Sequence, residues 1–157
     1  MLQIGSLANA TSSENYSQQL RDISQTYTLN TQQSLAFKIV CLHSIDLERK
    51  SKPLRMYLGG PGGTGKSRVI HAVTDWFAQR GQSRRLRLAS YTGVAASNIN
   101  GATLHAVLML TRRSYGASAK KSTLADMQKL WEGVDYLLID EVSMIGCAML
   151  TDIHNAL

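Results

Sequence analysis

Nothing in this chain limits its possible folds as strongly as Gly59-Gly60-Pro61-Gly62-Gly63-Thr64-Gly65-Lys66-Ser67. An apolar run, Leu54 to Leu58, precedes it and is expected to be a short strand. After it, "KSRVIHAVTDWFAQRG" places Val69, Val73, Trp76 and Phe77 on one helical face, with Gly81 where a helix stop belongs. Backbone without Cβ atoms can wrap closely around an anion and adopt dihedrals other residues avoid. A helix N-terminus offers free N–H groups carrying partial positive charge. Gly60 to Ser67 fits G-x4-G-K-[ST] position for position. The strand–loop–helix setting makes this stretch a phosphate cradle rather than an ordinary glycine-rich turn. Gly60, Pro61, Gly62, Gly63, Thr64, Gly65 and Arg68 are its expected nucleotide contacts. Lys66 would reach the β- and γ-phosphates, and the Ser67 hydroxyl would ligate Mg²⁺.

A phosphate cradle that hydrolyses its nucleotide needs a carboxylate for the metal and a group to position or deprotonate water. "YLLIDE" supplies two carboxylates where an apolar run ends: Asp140 for the Mg²⁺ shell and Glu141 as general base. Adjacent strand residues point to opposite faces, so both serve one site only if the strand has just ended. Catalysis is thus assigned to Lys66, Asp140 and Glu141, and metal binding to Ser67 and Asp140.

The remaining pattern is alternating strand and helix. Residues 1–28 are polar and aperiodic, expected to be a tail or linker with little fixed structure. From Leu29 an amphipathic helix is expected, with Asn30 as N-cap and Leu35, Ile39, Leu42 and Ile45 on its apolar face. Arg84 to Ser90 reads as a second strand. "YTGVAASNINGATLHAVLML" reads as a turn, a short helix, a break at Gly101 and another helix. "TRRSYGASAKKS" is a basic loop, and Thr123 with Asp126 forms a capping-box signature before a helix ending near Gly133. "VDYLLIDEVSM" gives a third strand, near-continuously apolar as in a parallel sheet covered on both faces. The fold class is α/β, with a parallel sheet flanked by helices.

Composition narrows the class further. The chain has 157 residues, of which 44% are hydrophobic, enough for a real core. Lysines and arginines number 17 against 11 acids, for a net charge of +6 that suits a polyanionic partner without requiring one. Cys41 and Cys147 match no metal or CxxC spacing and read as buried free thiols. No apolar run approaches the length of a membrane span. The first residues lack the basic and apolar regions of a secretory signal.

In their order and spacing, "GGPGGTGKS", "SYTGVAASNINGATLHAVL" and "LLIDEVSMIG" resemble motifs I, Ia and II of the Pif-one (petite integration frequency) DNA helicases, RecD-like members of superfamily 1B. "LNTQQ" resembles that family's Q motif. The resemblance covers Leu29 to Gly146 and implies a RecA-like ATPase lobe, residues 29–157, present only in part. It implies ATP and Mg²⁺ as cofactors, 5′-to-3′ translocation on single-stranded DNA, unwinding of duplex or structured DNA, and roles in repair, recombination and telomere maintenance. Gln33 would recognise adenine through its side-chain amide. Thr92, Gly93, Ala95, Thr103 and His105 would contact DNA, and Arg112, Arg113, Lys120 and Lys121 form a solvated charge run that could extend the track. Few aromatic residues are available, Trp76 reads as core, and no stacking platform is expected. The later motifs, the second RecA-like domain and its arginine are absent from this sequence, so unwinding would need that missing half. Nucleus and mitochondrion both fit the family. A P-loop small-molecule kinase and a non-catalytic remnant are the competing readings, the former disfavoured by Asp-Glu after the third strand.

Overall fold

The computed structural model describes residues 4–46, 52–109 and 121–156, with side chains from 14 in the first stretch and from 125 in the last. They form two compact units, divided after Gly81.

The first unit is helical: α1 (Ile4–Thr26), α2 (Thr31–Ile45) and α3 (Lys66–Gln79). The expected polar tail is thus a helix over most of its length. Tyr16, Leu20 and Ile23 recur at four- and three-residue steps, a sparse apolar row among polar neighbours. Leu20 and Ile23 are buried, and the Tyr16 ring meets Trp76 edge-on at 6.3 Å. Tertiary contact, rather than propensity, orders such a helix. It ends at Thr26, and just beyond it Thr28 is left-handed (φ 45), with the Leu29 N–H reaching back to the Ser24 carbonyl.

Helix α2 begins at Asn30 as expected. The Asn30 side chain accepts from the Gln33 N–H, and the Gln33 side chain accepts from the Asn30 N–H, both at 2.9 Å. Its buried face differs from expectation: Ala36, Phe37, Val40, Cys41 and Ser44 face inward, while Leu35, Ile39 and Leu42 are exposed. Two apolar rows share this helix, and the one carrying Phe37 is the one that is buried. On α3 the expected row is buried, with Val69, Val73, Trp76 and Phe77 all in the core. The buried Trp76 indole N–H donates to Ser44 Oγ at 3.0 Å, and that hydroxyl donates to the Cys41 carbonyl at 2.6 Å. Both buried polar groups are therefore satisfied.

The expected strand over Leu54 to Leu58 is not formed, since residues 53–60 carry no regular structure. A strand needs a ladder partner, and the first unit contains no other strand among its described residues.

The second unit opens with a 3₁₀ turn (Ser83–Arg85), then runs β1 (Leu86–Ser90), α4 (Gly93–Asn98), β2 (Ala102–Thr103), α5 (Leu104–Leu108), α6 (Lys121–Trp131), β3 (Tyr136–Asp140) and α7 (Cys147–Ala156). A second 3₁₀ turn, Val142–Met144, separates β3 from α7. The sheet is parallel in the order β2-β1-β3, with Leu86 opposite Tyr136 and Ser90 opposite Asp140. Ala89, Leu104, Val107, Leu108 and Ile153 form its core, with Trp131, Leu137 and Ile139 packed against them. Gly101 passes so close to β1 that an added Cβ would stand 2.7 Å from the Leu88 carbonyl oxygen. Helix α6 starts two residues before Thr123, so the capping signature is not its start, and Lys121 belongs to this helix rather than to the basic loop. Arg112, Arg113 and Lys120 lie outside the described residues. Cys41 is buried, as expected, and Cys147 is exposed, because α7 turns that position outward. The sheet with its flanking helices is an incomplete RecA-like α/β fold.

Candidate functional site

Each unit carries one half of the expected chemistry. In the first, the glycine-rich loop runs directly into α3, whose N-cap is Gly65. No side chain caps that end and no acid lies in its first turn, while the Arg68 N–H donates to the Gly65 carbonyl at 3.1 Å; a helix start carries partial positive charge that suits an anion. The loop is shaped by its own hydrogen bonds. Lys66 Nζ donates to the Gly60 carbonyl at 2.8 Å and to the Pro61 carbonyl at 2.7 Å. Thr64 Oγ1 also donates to Pro61. The ammonium is thus held at the loop's mouth, and the anionic oxygens of a triphosphate are stronger acceptors than these carbonyls. Gly63 and Gly65 have φ of 75° and 78°, values that disfavour residues bearing a Cβ.

Gln33 is attached to this loop. Its Nε2 donates to the Thr64 carbonyl at 2.9 Å while its Oε1 caps α2. A Cβ on Gly65 would stand 2.6 Å from Gln33 Nε2, so glycine there also makes room for the glutamine. Arg68, expected at the nucleotide, donates from Nη1 to Thr28 Oγ1 at 3.0 Å, tying the start of α3 to the α1–α2 turn. In the helical core, the Cys41 thiol is pushed up by burial, partly opposed by the Arg80 charge. Burial also raises Tyr27, with the Asp75 carboxylate adding to the effect.

In the second unit, β3 ends at Asp140 and the next residue turns sharply: Glu141 is left-handed, with φ 53° and ψ 40°. That meets the condition set for two neighbouring carboxylates to act together. The Glu141 N–H donates to Asp140 Oδ1 at 2.9 Å. Thr92, on the loop after β1, caps α4 by accepting from the Ala95 N–H at 3.2 Å, and its hydroxyl donates to Glu141 Oε2 at 3.4 Å. Gly93 opens α4 and is exposed. Ala95 is buried and its amide is taken by Thr92, so the expected DNA contact there is used internally. Thr103 caps α5 through the Ala106 N–H, at 3.3 Å. His105 lies 6.2 Å from the Tyr91 ring at a tilt of 56°. Tyr91 is 37% exposed and was missed from sequence, although it directly precedes Thr92. Together they are an aromatic pair where no stacking surface was expected.

Ser67 and Asp140 offer a hydroxyl and a carboxylate, the hard oxygen donors that Mg²⁺ takes. That ion keeps several waters and phosphate oxygens rather than an all-protein cage. No three His, Cys, Asp or Glu side chains cluster among the described residues. Each donor, taken by itself within its own unit, is of the chemistry that ion takes. No described helix is long and apolar enough to cross a membrane.

Residues 45–157 match the family model described as an AAA domain. With the phosphate loop and the partial RecA-like sheet, this places the chain in the AAA-domain class of P-loop NTPases. Among named relatives, it is 34% identical over 104 residues to the ATP-dependent DNA helicase PIF1 of Trypanosoma brucei brucei, covering 65% of this chain and 10% of that protein. To the ATP-dependent DNA helicase PIF4 of the same organism it is 32% identical over 106 residues, 64% of this chain and 13% of that protein. It is 29% identical over 130 residues, 80% of this chain and 23% of the relative, to protein 030L of Invertebrate iridescent virus 6. Within the AAA-domain class, the chain belongs to the Pif1 helicase family, as motifs I, Ia and II indicated. It spans less than a quarter of each of these relatives. No solved structure matches it.

Proposed function

We propose that this chain forms the ATP-handling part of a 5′-to-3′ DNA helicase, in which hydrolysis drives movement along single-stranded DNA and opening of duplexes. One observation supports this reading above the others: the Lys66 ammonium rests on carbonyls at the mouth of a G-x4-G-K-S loop, beside helix amides with no side-chain cap. Lys66 exchanges those carbonyls for β- and γ-phosphate oxygens and offsets the charge that develops there. Gly60 to Gly65 and the first amides of α3 orient the phosphates. Ser67 and Asp140 would hold Mg²⁺, which when bound neutralises phosphate charge and fixes its orientation. Glu141 orients the attacking water and takes its proton. The water oxygen bonds to the γ-phosphorus, and the bond from that phosphorus to the bridging oxygen breaks, releasing ADP. Gln33 serves the nucleotide through the amide that holds Thr64, ordering the phosphate loop rather than reading the base. Thr92, Gly93 and Thr103 offer backbone and hydroxyl donors to a DNA backbone, while Tyr91 and His105 offer ring faces to its bases.

The test is ATP hydrolysis by the full-length protein with and without single-stranded DNA, followed by unwinding of duplexes bearing a 5′ or a 3′ tail. DNA-stimulated hydrolysis with opening of 5′-tailed substrates is expected. Transfer of phosphate to a small acceptor, or opening of 3′-tailed substrates alone, would overturn the reading.

A further inference from the structure

We propose that a cleft at the amino end of β1 is a second nucleic-acid site, in which Arg84, Arg87 and Lys129 hold the phosphate backbone of duplex DNA. The inference rests on the proposed helicase reading only for the identity of the polyanion.

The cleft lies wholly within the second unit. It has a volume of about 240 Å³ and is lined by Ser83, Arg84, Leu86, Arg87, Lys129 and Leu130. Leu86 opens β1 opposite Tyr136, whereas Thr92 and Glu141 follow the far ends of β1 and β3. The steps from Leu86 to Ser90 span about 13 Å of strand, so one phosphate cannot serve both edges.

Uncompensated charge sets this cleft apart. The neighbouring Arg85 is committed to the fold, its Nε paired with Asp135 Oδ2 at 2.6 Å. Arg84 is held more loosely. Its Nε donates to the Glu132 carbonyl at 2.9 Å, and its Nη2 meets the Glu132 carboxylate at 3.2 Å with the two side chains 67% and 76% exposed. So exposed a pair is weak, and a phosphate oxygen can replace it. Arg87 donates from Nη2 to the Leu130 carbonyl, while its Nε–H is buried with no acceptor among the described residues. Lys129, exposed in the last turn of α6, has no ion pair or hydrogen bond among the described residues. Carbonyls at the end of α6 thus orient two guanidinium groups without neutralising them. Three cations meet one carboxylate and a helix end of about −0.5, a surplus of about +1.5. Guanidinium forks match phosphate oxygens, and an ammonium adds a point charge beside them.

The lining also selects the form of DNA. It contains no aromatic side chain, so unstacked bases gain nothing there. Its volume is below the roughly 300 Å³ of small-ligand pockets, which suits a backbone phosphate rather than a whole nucleotide. Duplex DNA presents such phosphates most densely, at one charge per about 1.7 Å of axis. Ring faces are found at the other edge, in Tyr91 and His105. The two edges therefore divide the DNA, the single strand at one and the unopened duplex at the other.

The experiment measures binding of a blunt duplex and of a short single strand to the full-length protein by fluorescence anisotropy, over a series of salt concentrations. The variants are Lys129→Gln, Lys129→Glu and Arg84→Gln, with Lys38→Glu, an exposed lysine of α2, as the control for net charge. On the duplex, each glutamine variant is expected to lower the slope of log affinity against log salt by about 0.9, the value of one phosphate contact. Lys129→Glu weakens duplex binding further, at every duplex sequence alike. The single-strand slope stays at its wild-type value, and Lys38→Glu changes neither slope. Lys129 has no partner to lose, and a melting temperature equal to wild type excludes a folding defect in its variants. Unchanged duplex slopes, an equal loss on both DNA forms, or an equal loss in Lys38→Glu would each refute the site. Displacement of the duplex by inorganic phosphate at constant ionic strength would make the cleft a site for the free anion and overturn the duplex assignment. A protein with the expected slopes whose ATP hydrolysis no DNA stimulates would keep the site and remove the helicase reading.

Discussion

Replacing Gln33 separates two roles that its amide can play. In the structure its Oε1 completes the cap of α2 and its Nε2 holds the Thr64 carbonyl of the phosphate loop, both at 2.9 Å. Gln33→Ala removes both bonds. At about 1 kcal/mol for each partly exposed hydrogen bond, the loss is about 2 kcal/mol, of which about half falls on the loop. A loop less ordered by ~1 kcal/mol binds its ligand about fivefold more weakly. Gln33→Glu keeps the capping acceptor and sets a carboxylate against the Thr64 carbonyl, so its deficit belongs to the loop alone. The assay is displacement of a fluorescent nucleotide by ATP, GTP and inorganic tripolyphosphate. Because the loop contacts phosphate, all three competitors should weaken by the same factor in both variants. A loss confined to ATP, with GTP and tripolyphosphate unchanged, would refute the reasoning and return Gln33 to the adenine ring.

Lys66→Ala should abolish hydrolysis in the full-length protein, whereas Glu141→Gln should retain nucleotide binding and lose turnover, as equilibrium binding and a phosphate-release assay would show; normal turnover in the glutamine variant removes Glu141 as base. Glu141 also stores backbone strain at φ 53°, so Glu141→Gly should exceed Glu141→Ala in stability by about 1 kcal/mol in denaturant titration. Equal stabilities would mean that the turn relaxes without cost. At pH 8 a disulfide reagent should label one thiol, Cys147, rapidly, and Cys41 only on unfolding, since Cys41 is enclosed and burial keeps it protonated.

What the sequence disclosed, and what it concealed, follows from how local each determinant is. The phosphate loop was legible because its requirements are local: glycines at fixed offsets, a lysine, and an amphipathic run that must become α3. Asp140 and Glu141 were legible because an apolar run ending in two carboxylates stands out against a buried strand. The cap at Asn30 followed from a three-residue spacing. Helix α1 was not legible, because Tyr16, Leu20 and Ile23 acquire meaning only when Trp76 and its neighbours supply a surface. For α2 the helix was readable and its orientation was not. Leu35-Ile39-Leu42 and Phe37-Val40-Cys41-Ser44 are both helical rows, and periodicity cannot say which one meets a partner.

The same division explains why the couplings escaped sequence reading while their members did not. Gln33 and Thr64 are 31 residues apart, and Thr92 and Glu141 are 49 apart. Each was identified by its own motif, yet nothing in a motif records which other motif it touches. That information lies in the register of β1 on β3 and in the cap that aims Gln33 at the loop. The strand that failed to form makes the converse point. Leu54 to Leu58 has an apolar composition suited to a strand, but a ladder is a property of two segments, and no local pattern supplies the second. Residues that act alone are therefore readable from a sequence of this kind, and residues that act through one another become readable only when the backbone has brought them within a hydrogen bond.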